Sequence, residues 1–143
     1  MRIYLDNCCF NRPFDDQNQV RVRLEAEAKL HVQMKIFEKE IELVWSYILE
    51  YENRFNPYEE RRNAIQNWKQ KALSDIVETD EIITMAERFS ETNIKPKDAL
   101  HLACAVAGKC DYFLTTDDGV LSKKNRIKEI TILNPLDYIQ IIK

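Results

Sequence analysis

Residues 95–117, Lys-Pro-Lys-Asp-Ala-Leu-His-Leu-Ala-Cys-Ala-Val-Ala-Gly-Lys-Cys-Asp-Tyr-Phe-Leu-Thr-Thr-Asp, contain the pattern on which the fold assignment depends. Pro96 near the start and Gly108 past the end are typical of a helix between them. That helix is almost entirely apolar, so we expect it in the interior of the protein. The run at residues 112–115 then predicts a buried strand. The segment is thus a helix followed by a strand.

The rest of the sequence continues this alternation of strands and helices. Residues 2–5, 41–45 and 130–133 are rich in β-branched and other apolar side chains and predict three more strands. Ser46 follows the second of these strands and is expected to cap a helix that runs through Glu52. Helices are also expected in the segments 58–73 and 80–89.

The segment 20–37 carries two conflicting patterns. Its apolar residues recur at every second position, as in a strand. An extended chain of that length would span about 56 Å, whereas a globular protein of this size has a radius of gyration near 14–15 Å. Its Glu, Ala, Lys, Leu, Gln and Met residues also favour a helix. The segment is therefore predicted to be a helix, preceded by a loop at residues 11–19.

The alternating elements predict an α/β fold in which a central parallel sheet is covered by helices on both faces. The 143 residues carry a net charge of −3 and are 45% hydrophobic, which fits one domain spanning residues 1–143 and excludes a disordered chain. The longest apolar run is about six residues, far below the ~20 of a membrane span. We therefore expect a cytoplasmic protein without a membrane segment.

The spacing of the cysteines argues against a zinc or redox site, and the net charge argues against general attraction to nucleic acid. The four cysteines lack the CxxC spacing of zinc and redox sites, and we expect free thiols; they are Cys8, Cys9, Cys104 and Cys110. An acidic chain with a pI near 5.5 does not attract nucleic acid as a whole. A nucleic-acid partner would need a local basic patch or bound cations.

Acidic residues follow the predicted strands, where parallel α/β proteins bind their ligands. Asp6 ends the first strand, Asp117 and Asp118 end the strand at 112–115, and Glu52 and Asp98 lie near helix starts. Two carboxylates 4 Å apart repel each other by about 4 kcal/mol at an effective dielectric constant of 20. A converging set would need a cation, and oxygen ligands suit Mg²⁺ or Mn²⁺.

Each acid also has a structural interpretation. Asp98 is favoured by the helix dipole alone, and Asp117-Asp118-Gly119 is a common turn sequence. Glu52 could be an exposed helix residue, and Glu50 competes with it for the same role. Asp6 is the hardest to explain in this way, because an acid directly after an apolar strand needs an opening to solvent.

Four pieces of the sequence, in this order, resemble the PIN domain, the fold of VapC-like toxin ribonucleases. They are Ile-Tyr-Leu-Asp-Asn at 3–7, Ser-Tyr-Ile-Leu-Glu-Tyr-Glu at 46–52, Lys-Asp-Ala-Leu-His-Leu-Ala at 97–103, and Asp-Tyr-Phe-Leu-Thr-Thr-Asp at 111–117. The resemblance covers nearly the whole chain. It implies a three-layer fold with a central parallel sheet flanked by helices.

The resemblance also implies a function. The family's metal-binding and catalytic acids fall on Asp6, Glu52, Asp98 and Asp117, with Thr115 orienting the site through its hydroxyl. The expected activity is cleavage of RNA phosphodiesters by a water that bound Mg²⁺ or Mn²⁺ activates. An antitoxin protein is an implied partner, and the implied homodimer would use the helix at 20–37. Either Asp117 or Asp118 is left open as the fourth acid.

Departures from the family pattern keep a second interpretation open. The stretch at residues 7–14 is longer and more polar than in VapC-like toxins and resembles a less characterised branch of PIN-domain proteins. The alternative is a non-catalytic PIN-fold module that acts through a protein partner. A phosphoryl-receiver domain is disfavoured, because Asp6 is followed by Asn7 and the strand at 130–133 by no lysine.

Other polar and aromatic residues have less specific roles. Lys95, Lys97 and the Lys123-Lys124 pair could border the acidic site and attract phosphates. His31 and His101 are expected to serve in packing or on the surface rather than as metal ligands. The aromatic residues could stack on bases, but most are expected in the core; they are Trp45, Tyr47, Tyr51, Phe55, Tyr58 and Trp68.

Overall fold

The centre of the protein is a sheet of five parallel strands in the order β3-β2-β1-β4-β5. The computed structural model describes residues 1–142. The strands are β1 (Arg2–Leu5), β2 (Glu42–Ser46), β3 (Ser74–Ile76), β4 (Tyr112–Leu114) and β5 (Thr131–Leu133). In the register of the sheet, Ile3 of β1 lies between Leu43 of β2 and Tyr112 of β4.

Eight helices within the described residues flank this sheet. They are α1 (Asn7–Asn11), α2 (Val20–Phe37), α3 (Tyr47–Arg54), α4 (Glu59–Gln66), α5 (Asp80–Ser90), α6 (Pro96–Ala107), α7 (Asp118–Leu121) and α8 (Pro135–Ile142). Short 3₁₀ turns lie at Arg12–Phe14, Asn67–Lys71 and Lys124–Arg126. None of the helices among residues 1–142 has both the length and the apolarity to cross a membrane.

Strand β1 is buried on both of its faces. Ile3, Tyr4 and Leu5 are at most 1% exposed, so side chains that point to opposite faces of the sheet are all covered. This is the burial expected when helices cover a parallel sheet on both sides. The three-layer α/β fold predicted from the sequence is therefore confirmed.

Most of the predicted elements are present with nearly the predicted bounds. The segment with conflicting patterns is the continuous helix α2, Val20–Phe37. Ser46 caps α3 by accepting a hydrogen bond from the Leu49 backbone N–H at 3.2 Å. Gly108 is the C-cap of the apolar helix α6, which is largely buried as expected.

Two segments differ from the prediction. The helix expected at 58–73 is shorter, because α4 passes into a 3₁₀ turn and the chain then pairs with β2 as strand β3. The Leu73 backbone N–H donates to the Leu43 carbonyl at 2.7 Å and starts this pairing. The loop expected at 11–19 contains a 3₁₀ turn, and helix α1 precedes it.

The strand order places a natural binding crevice between β1 and β4. From β1 the chain builds the sheet in one direction through β2 and β3, and β4 and β5 then extend it from the other side of β1. Open parallel sheets bind ligands where the order reverses in this way, beyond the carboxyl ends of the strands. The residues that follow β1 and β4 are Asp6 and the segment 115–118.

Candidate active site

Asp6 lies at the carboxyl end of β1 and is 5% exposed. Its backbone N–H donates to the Leu114 carbonyl at 2.9 Å, which continues the sheet. Its carboxylate accepts a hydrogen bond from the Asn7 backbone N–H at 2.8 Å and another from the Thr115 hydroxyl at 2.8 Å. Strand β1 and the end of β4 therefore fix the position of this carboxylate.

Glu52, on α3, reaches the site through His101 of α6. The His101 Nε2 atom hydrogen-bonds the Glu52 carboxylate and lies 3.9 Å from an Asp6 oxygen. The His101 Nδ1 atom is 2.6 Å from the hydroxyl oxygen of Tyr4, which is itself 2.6 Å from the Ser46 hydroxyl. A buried polar chain thus links the first two acids to the centre of the sheet.

Glu50 faces a different part of the protein. Its carboxylate accepts hydrogen bonds from Gln66 at 3.1 Å and from the Lys69 ammonium at 2.7 Å. Its pKa is lowered by these contacts, with that to Lys69 the strongest. The geometry thus separates the two glutamates that the sequence left open: Glu52 points to the other acids, and Glu50 is engaged in a surface ion pair.

Asp98 lies in the first turn of α6 and is half-buried. Its pKa is raised to about 6, first by burial and then by the negative charges of Asp6 and Asp117. Within residues 1–142 its carboxylate has neither a hydrogen bond nor an ion pair. Its carboxyl group is therefore surrounded by like charge, with Glu52 also contributing to the rise and His101 opposing it.

Asp117 and Asp118 point to different neighbours. Asp117 caps α7 by accepting from the Gly119 N–H at 2.8 Å, and its own backbone N–H donates to the Thr115 hydroxyl at 3.1 Å. Asp118 is exposed and accepts two hydrogen bonds of 2.8 Å from the guanidinium of Arg21. Asp117 is thus connected to Asp6 through Thr115, and Asp118 is bound on the outside.

The fold gathers the four predicted acids at one end of the sheet, where their charges all affect Asp98. Their oxygen donors fit Mg²⁺ or Mn²⁺ in chemical type, and the unpartnered Asp98 carboxylate is where a cation would relieve repulsion. As the side chains stand, no group of three or more His, Cys, Asp or Glu residues in the described part of the chain is arranged to hold a metal ion.

Sequence reasoning missed several residues that shape the site. His101 was expected in packing or on the surface; it is buried, as packing requires, but its hydrogen bonds to Glu52 and Tyr4 were not predicted. Its place three residues after Asp98, on the same side of a helix, was the one available indication. Cys8 also contributes: its sulfur lies 3.4 Å from the Thr115 hydroxyl and accepts from the Thr116 N–H at 3.3 Å.

The aromatic residues divide between core and surface. Trp45 and Trp68 are buried, as expected. The expectation of a core position is wrong for three others, because Tyr51 is 48%, Phe55 66% and Tyr58 60% exposed. Tyr51 and Phe55 are in contact, with ring centroids 5.0 Å apart, on the helix that carries Glu52. They form an exposed aromatic pair on α3.

The lysines expected around the site have different surroundings. Lys95 and Lys97 are exposed on either side of the first residue of α6 and thus lie close to Asp98. Lys123 instead donates to the Asn93 carbonyl at 2.5 Å and ties the segment after α7 to the segment before α6. The first pair is therefore the better placed to attract a phosphate.

Comparison with known proteins identifies the family. A model of the PIN domain matches residues 3–127, a range that contains all four acids. No match was found among curated proteins. The protein is similar in structure to VapBC2 from Rickettsia felis bound to a DNA fragment from its promoter, with a TM-score of 0.58, 14% identity and coverage of 94% of this chain and 98% of that chain.

A second similar structure is VapBC-1 from nontypeable Haemophilus influenzae, with a TM-score of 0.61, 16% identity and coverage of 94% of this chain and 98% of that chain. At these identities the likeness shows a shared fold. The resemblance seen in the sequence is confirmed by the family match and by this fold. Since the matched range covers most of the sequence, the chain belongs to the PIN domain family.

Proposed function

We propose that this PIN domain is a divalent-metal-dependent endoribonuclease of the cytoplasm, with Asp6, Glu52, Asp98 and Asp117 as metal ligands and catalytic residues. The observation that carries the proposal is the convergence of these acids beyond β1 and β4: Thr115 connects Asp6 to Asp117, and His101 connects Asp6 to Glu52. The pKa of Asp98, raised to about 6 by burial and by Asp6 and Asp117, agrees with this convergence. A fold gains no stability from such repulsion, and perturbed acids of this kind concentrate at functional sites.

The chemistry follows from the donor set. Mg²⁺ or Mn²⁺ held by these acids would supply positive charge at a phosphodiester oxygen and a water acidic enough to act as the nucleophile. The residues of the protein orient the oxygens. Thr115 and the Asn7 N–H fix the Asp6 carboxylate, and His101 fixes that of Glu52.

An RNA substrate is supported by the residues around the acids. Exposed Lys95 and Lys97 can attract phosphates next to Asp98. The exposed rings of Tyr51 and Phe55 lie on the same helix as Glu52 and offer stacking surfaces to unpaired bases. Exposed cations and exposed aromatic rings are the groups that bind single-stranded RNA.

An antitoxin protein is the partner that we propose. Both similar structures are VapBC proteins, and one of them is bound to promoter DNA. By analogy, this chain would be the toxin of a toxin-antitoxin pair. The partner would cover the acidic crevice and thereby keep RNA away from it.

A second candidate function is a non-catalytic PIN-fold module that acts through a protein partner. It is favoured by the contact between Glu52 and His101, which occupies one of the four carboxylates. Titration of the purified protein with Mn²⁺ separates the two candidates. Absence of both binding heat and a thermal shift would leave only the non-catalytic module.

The direct test is cleavage of RNA oligonucleotides in Mg²⁺ or Mn²⁺ by the wild type and by Asp6→Asn. We expect the variant to lose at least about 100-fold in activity, because a carboxylate ligand is removed from the site. Asp16→Asn, an exposed aspartate in the loop before α2, is the matched control and should retain activity. Undiminished, chelator-sensitive cleavage by Asp6→Asn would show that the ligands are wrongly assigned.

A further inference from the structure

Glu25 of α2 is a completely buried carboxylate close to the candidate site. It accepts a hydrogen bond from Arg12 at 2.9 Å, one from Arg21 at 3.2 Å and one from the side-chain amide of Asn134. A buried charge is tolerated only when it is paired and its oxygens are hydrogen-bonded, as they are here. Glu25 therefore fixes the position of both arginines.

Arg21 connects this buried carboxylate to the loop of the candidate site. One guanidinium donates through Nε to Glu25, through Nη1 and Nη2 to both oxygens of Asp118 at 2.8 Å, and through Nη2 to the Thr116 carbonyl at 3.0 Å. The pairing with Asp118 is bidentate, a geometry that fixes orientation as well as distance. The outer side of residues 116–118 is thus attached to α2.

The inner side of the same loop is attached to the acids. The Thr115 hydroxyl donates to Asp6 and accepts from the Asp117 N–H, and Asp117 in turn accepts from the Gly119 N–H. A Cβ atom added at Gly119 would lie only 3.1 Å from an Asp117 oxygen, so this cap is tightly fitted. Asp117 and Asp118 are consecutive, but they are held from opposite sides.

We propose that Arg21 is a positioning residue, which anchors residues 116–118 to α2 through its bidentate contact with Asp118 and thereby keeps Asp117 oriented toward the acidic site. This inference rests on the proposed function, because Asp117 is taken as a metal ligand. Without the Arg21–Asp118 contact, the outer side of the loop is no longer fixed, and Asp117 loses its defined orientation toward Asp98. Glu25 supports the arrangement by fixing Arg21.

Two variants test whether Arg21 acts through its charge or by positioning the loop, because they change the net charge in opposite directions. Arg21→Ala removes a positive charge and Asp118→Ala removes a negative charge, but each breaks the same bidentate contact. A purely electrostatic role predicts opposite effects on Mn²⁺ affinity. A positioning role predicts that both variants lose affinity and kcat by about 10-fold or more, the usual cost of losing a residue that orients a metal ligand.

Arg23→Ala is the matched control, since Arg23 is an exposed arginine two residues along the same helix. It should keep the wild-type kcat and Mn²⁺ affinity. Arg21→Lys should recover only part of the loss, because an ammonium cannot pair with both oxygens of Asp118 in the fork geometry. Asp118→Ala leaves the Arg21–Glu25 contact in place. It therefore tests the loop contact even if the Arg21 variants fold poorly.

A metal-free measurement distinguishes failure of this inference from failure of the proposed function. The chain has two glycines, Gly108 and Gly119, so ¹⁵N-glycine labelling yields two backbone amide signals. In Arg21→Ala the Gly119 signal should shift or broaden, because its N–H donates to Asp117, while the Gly108 signal should stay in place. Arg23→Ala should alter neither signal.

Any one of three results would overturn the inference. The first is a Gly119 signal that is unchanged in Arg21→Ala, and the second is a change in Mn²⁺ affinity that has opposite signs in Arg21→Ala and Asp118→Ala. The third is an Arg21→Ala variant whose kcat and Mn²⁺ affinity equal those of Arg23→Ala. If instead the wild type neither cleaves RNA nor binds Mn²⁺, the proposed function fails, and the Gly119 signal still reports whether Arg21 positions the loop.

Discussion

His101 and Glu52 are hydrogen-bonded across the interior of the protein, from helix α6 to helix α3. Burial of the imidazole opposes its charge, but the hydrogen bond to Glu52 and the charge of Asp6 outweigh it, so the pKa of His101 is raised above 6.5. The other ring nitrogen, Nδ1, is hydrogen-bonded to the Tyr4 hydroxyl. This histidine therefore links protonation, folding and the position of a candidate metal ligand.

The first prediction is that His101→Gln destabilises the protein by about 1–3 kcal/mol, since buried polar partners lose their hydrogen bonds. A histidine with a raised pKa stabilises the fold fully below its unfolded value of 6.5, and that contribution disappears as the pH rises through the folded value. Urea unfolding at acidic and alkaline pH should show a larger loss at the acidic pH. His31→Gln, at an exposed position, is the control. An equal loss at both pH values would contradict the role of protonation.

The second prediction concerns Asp98, whose pKa is raised to about 6 by burial and by Asp6 and Asp117. Between pH 4 and pH 6 the folded protein holds this proton more tightly than the unfolded chain, so its contribution makes stability fall as the pH rises. Asp98→Asn should therefore stabilise the metal-free protein at neutral pH, by about 1–2 kcal/mol after allowance for solvent screening. Below pH 4 the difference should vanish.

Asp137→Asn is a matched control for Asp98→Asn. Both aspartates occupy the third position of a helix that begins with proline, α8 in one case and α6 in the other, but Asp137 is exposed. Its replacement removes only a favourable interaction with the helix dipole and should be neutral or slightly destabilising. If urea unfolding shows Asp98→Asn to be no more stable than Asp137→Asn at neutral pH, then Asp98 does not lie among repelling charges.

The fold could be predicted from the sequence because its longest patterns are local. The apolar residues and the proline and glycine of α6 identify that helix, and the β-rich runs identify β1, β2 and β4. Strand β3 could not be predicted in this way, because its three residues carry no pattern of their own and pair only once β2 is in place. Helix α8 at the C-terminus was likewise not predicted.

The candidate site could be predicted only as a set of acids. Their positions after strands indicated Asp6 and Asp117, but the choice of Glu52 over Glu50 depends on which side of α3 faces His101. The outward position of Asp118 is marked by its contact with Arg21, which lies 97 residues away from Asp118 in the sequence. Contacts of such long range leave no local pattern, so a single sequence cannot show them.

The third prediction concerns Lys29, a buried lysine of α2. Its ammonium donates to Gln33 at 2.6 Å and lies 5.1 Å from the Trp68 ring. Burial lowers its pKa to about 8. Because the unfolded chain then binds more protons than the folded protein between pH 8 and pH 10.5, this lysine makes stability rise with pH over that range.

Lys29→Met should therefore stabilise the protein at pH 7, by about 2–3 kcal/mol, and the gain should shrink above pH 10. Thermal or urea unfolding of the variant and the wild type, at pH 7 and above pH 10, measures this gain in stability. Lys35→Met is the control on the same helix, since Lys35 is paired with Glu40 at 3.0 Å. A loss of stability in Lys29→Met at pH 7 would mean that the hydrogen bond and the aromatic contacts outweigh the cost of burial.

The fourth prediction concerns self-association through α2. Leu30, Met34 and Phe37 recur at helical spacing along one stripe and are 46%, 55% and 54% exposed. Phe37 also packs against the buried Trp68, with ring centroids 5.2 Å apart, so this end of the stripe is held against the core. Apolar residues that are contiguous on a surface mark an interaction site, and the resemblance to VapC-like proteins predicts a homodimer at this helix.

Met34→Glu should convert the predicted dimer to a monomer, because each copy would bring an unpaired carboxylate into an apolar contact. Light scattering coupled to size-exclusion chromatography measures the mass directly. Leu73→Glu is the matched control, since Leu73 is similarly exposed at 52% but lies outside α2, before β3. A monomeric wild type would contradict the homodimer, and a Met34→Glu variant that remains dimeric would place the interface elsewhere on the surface.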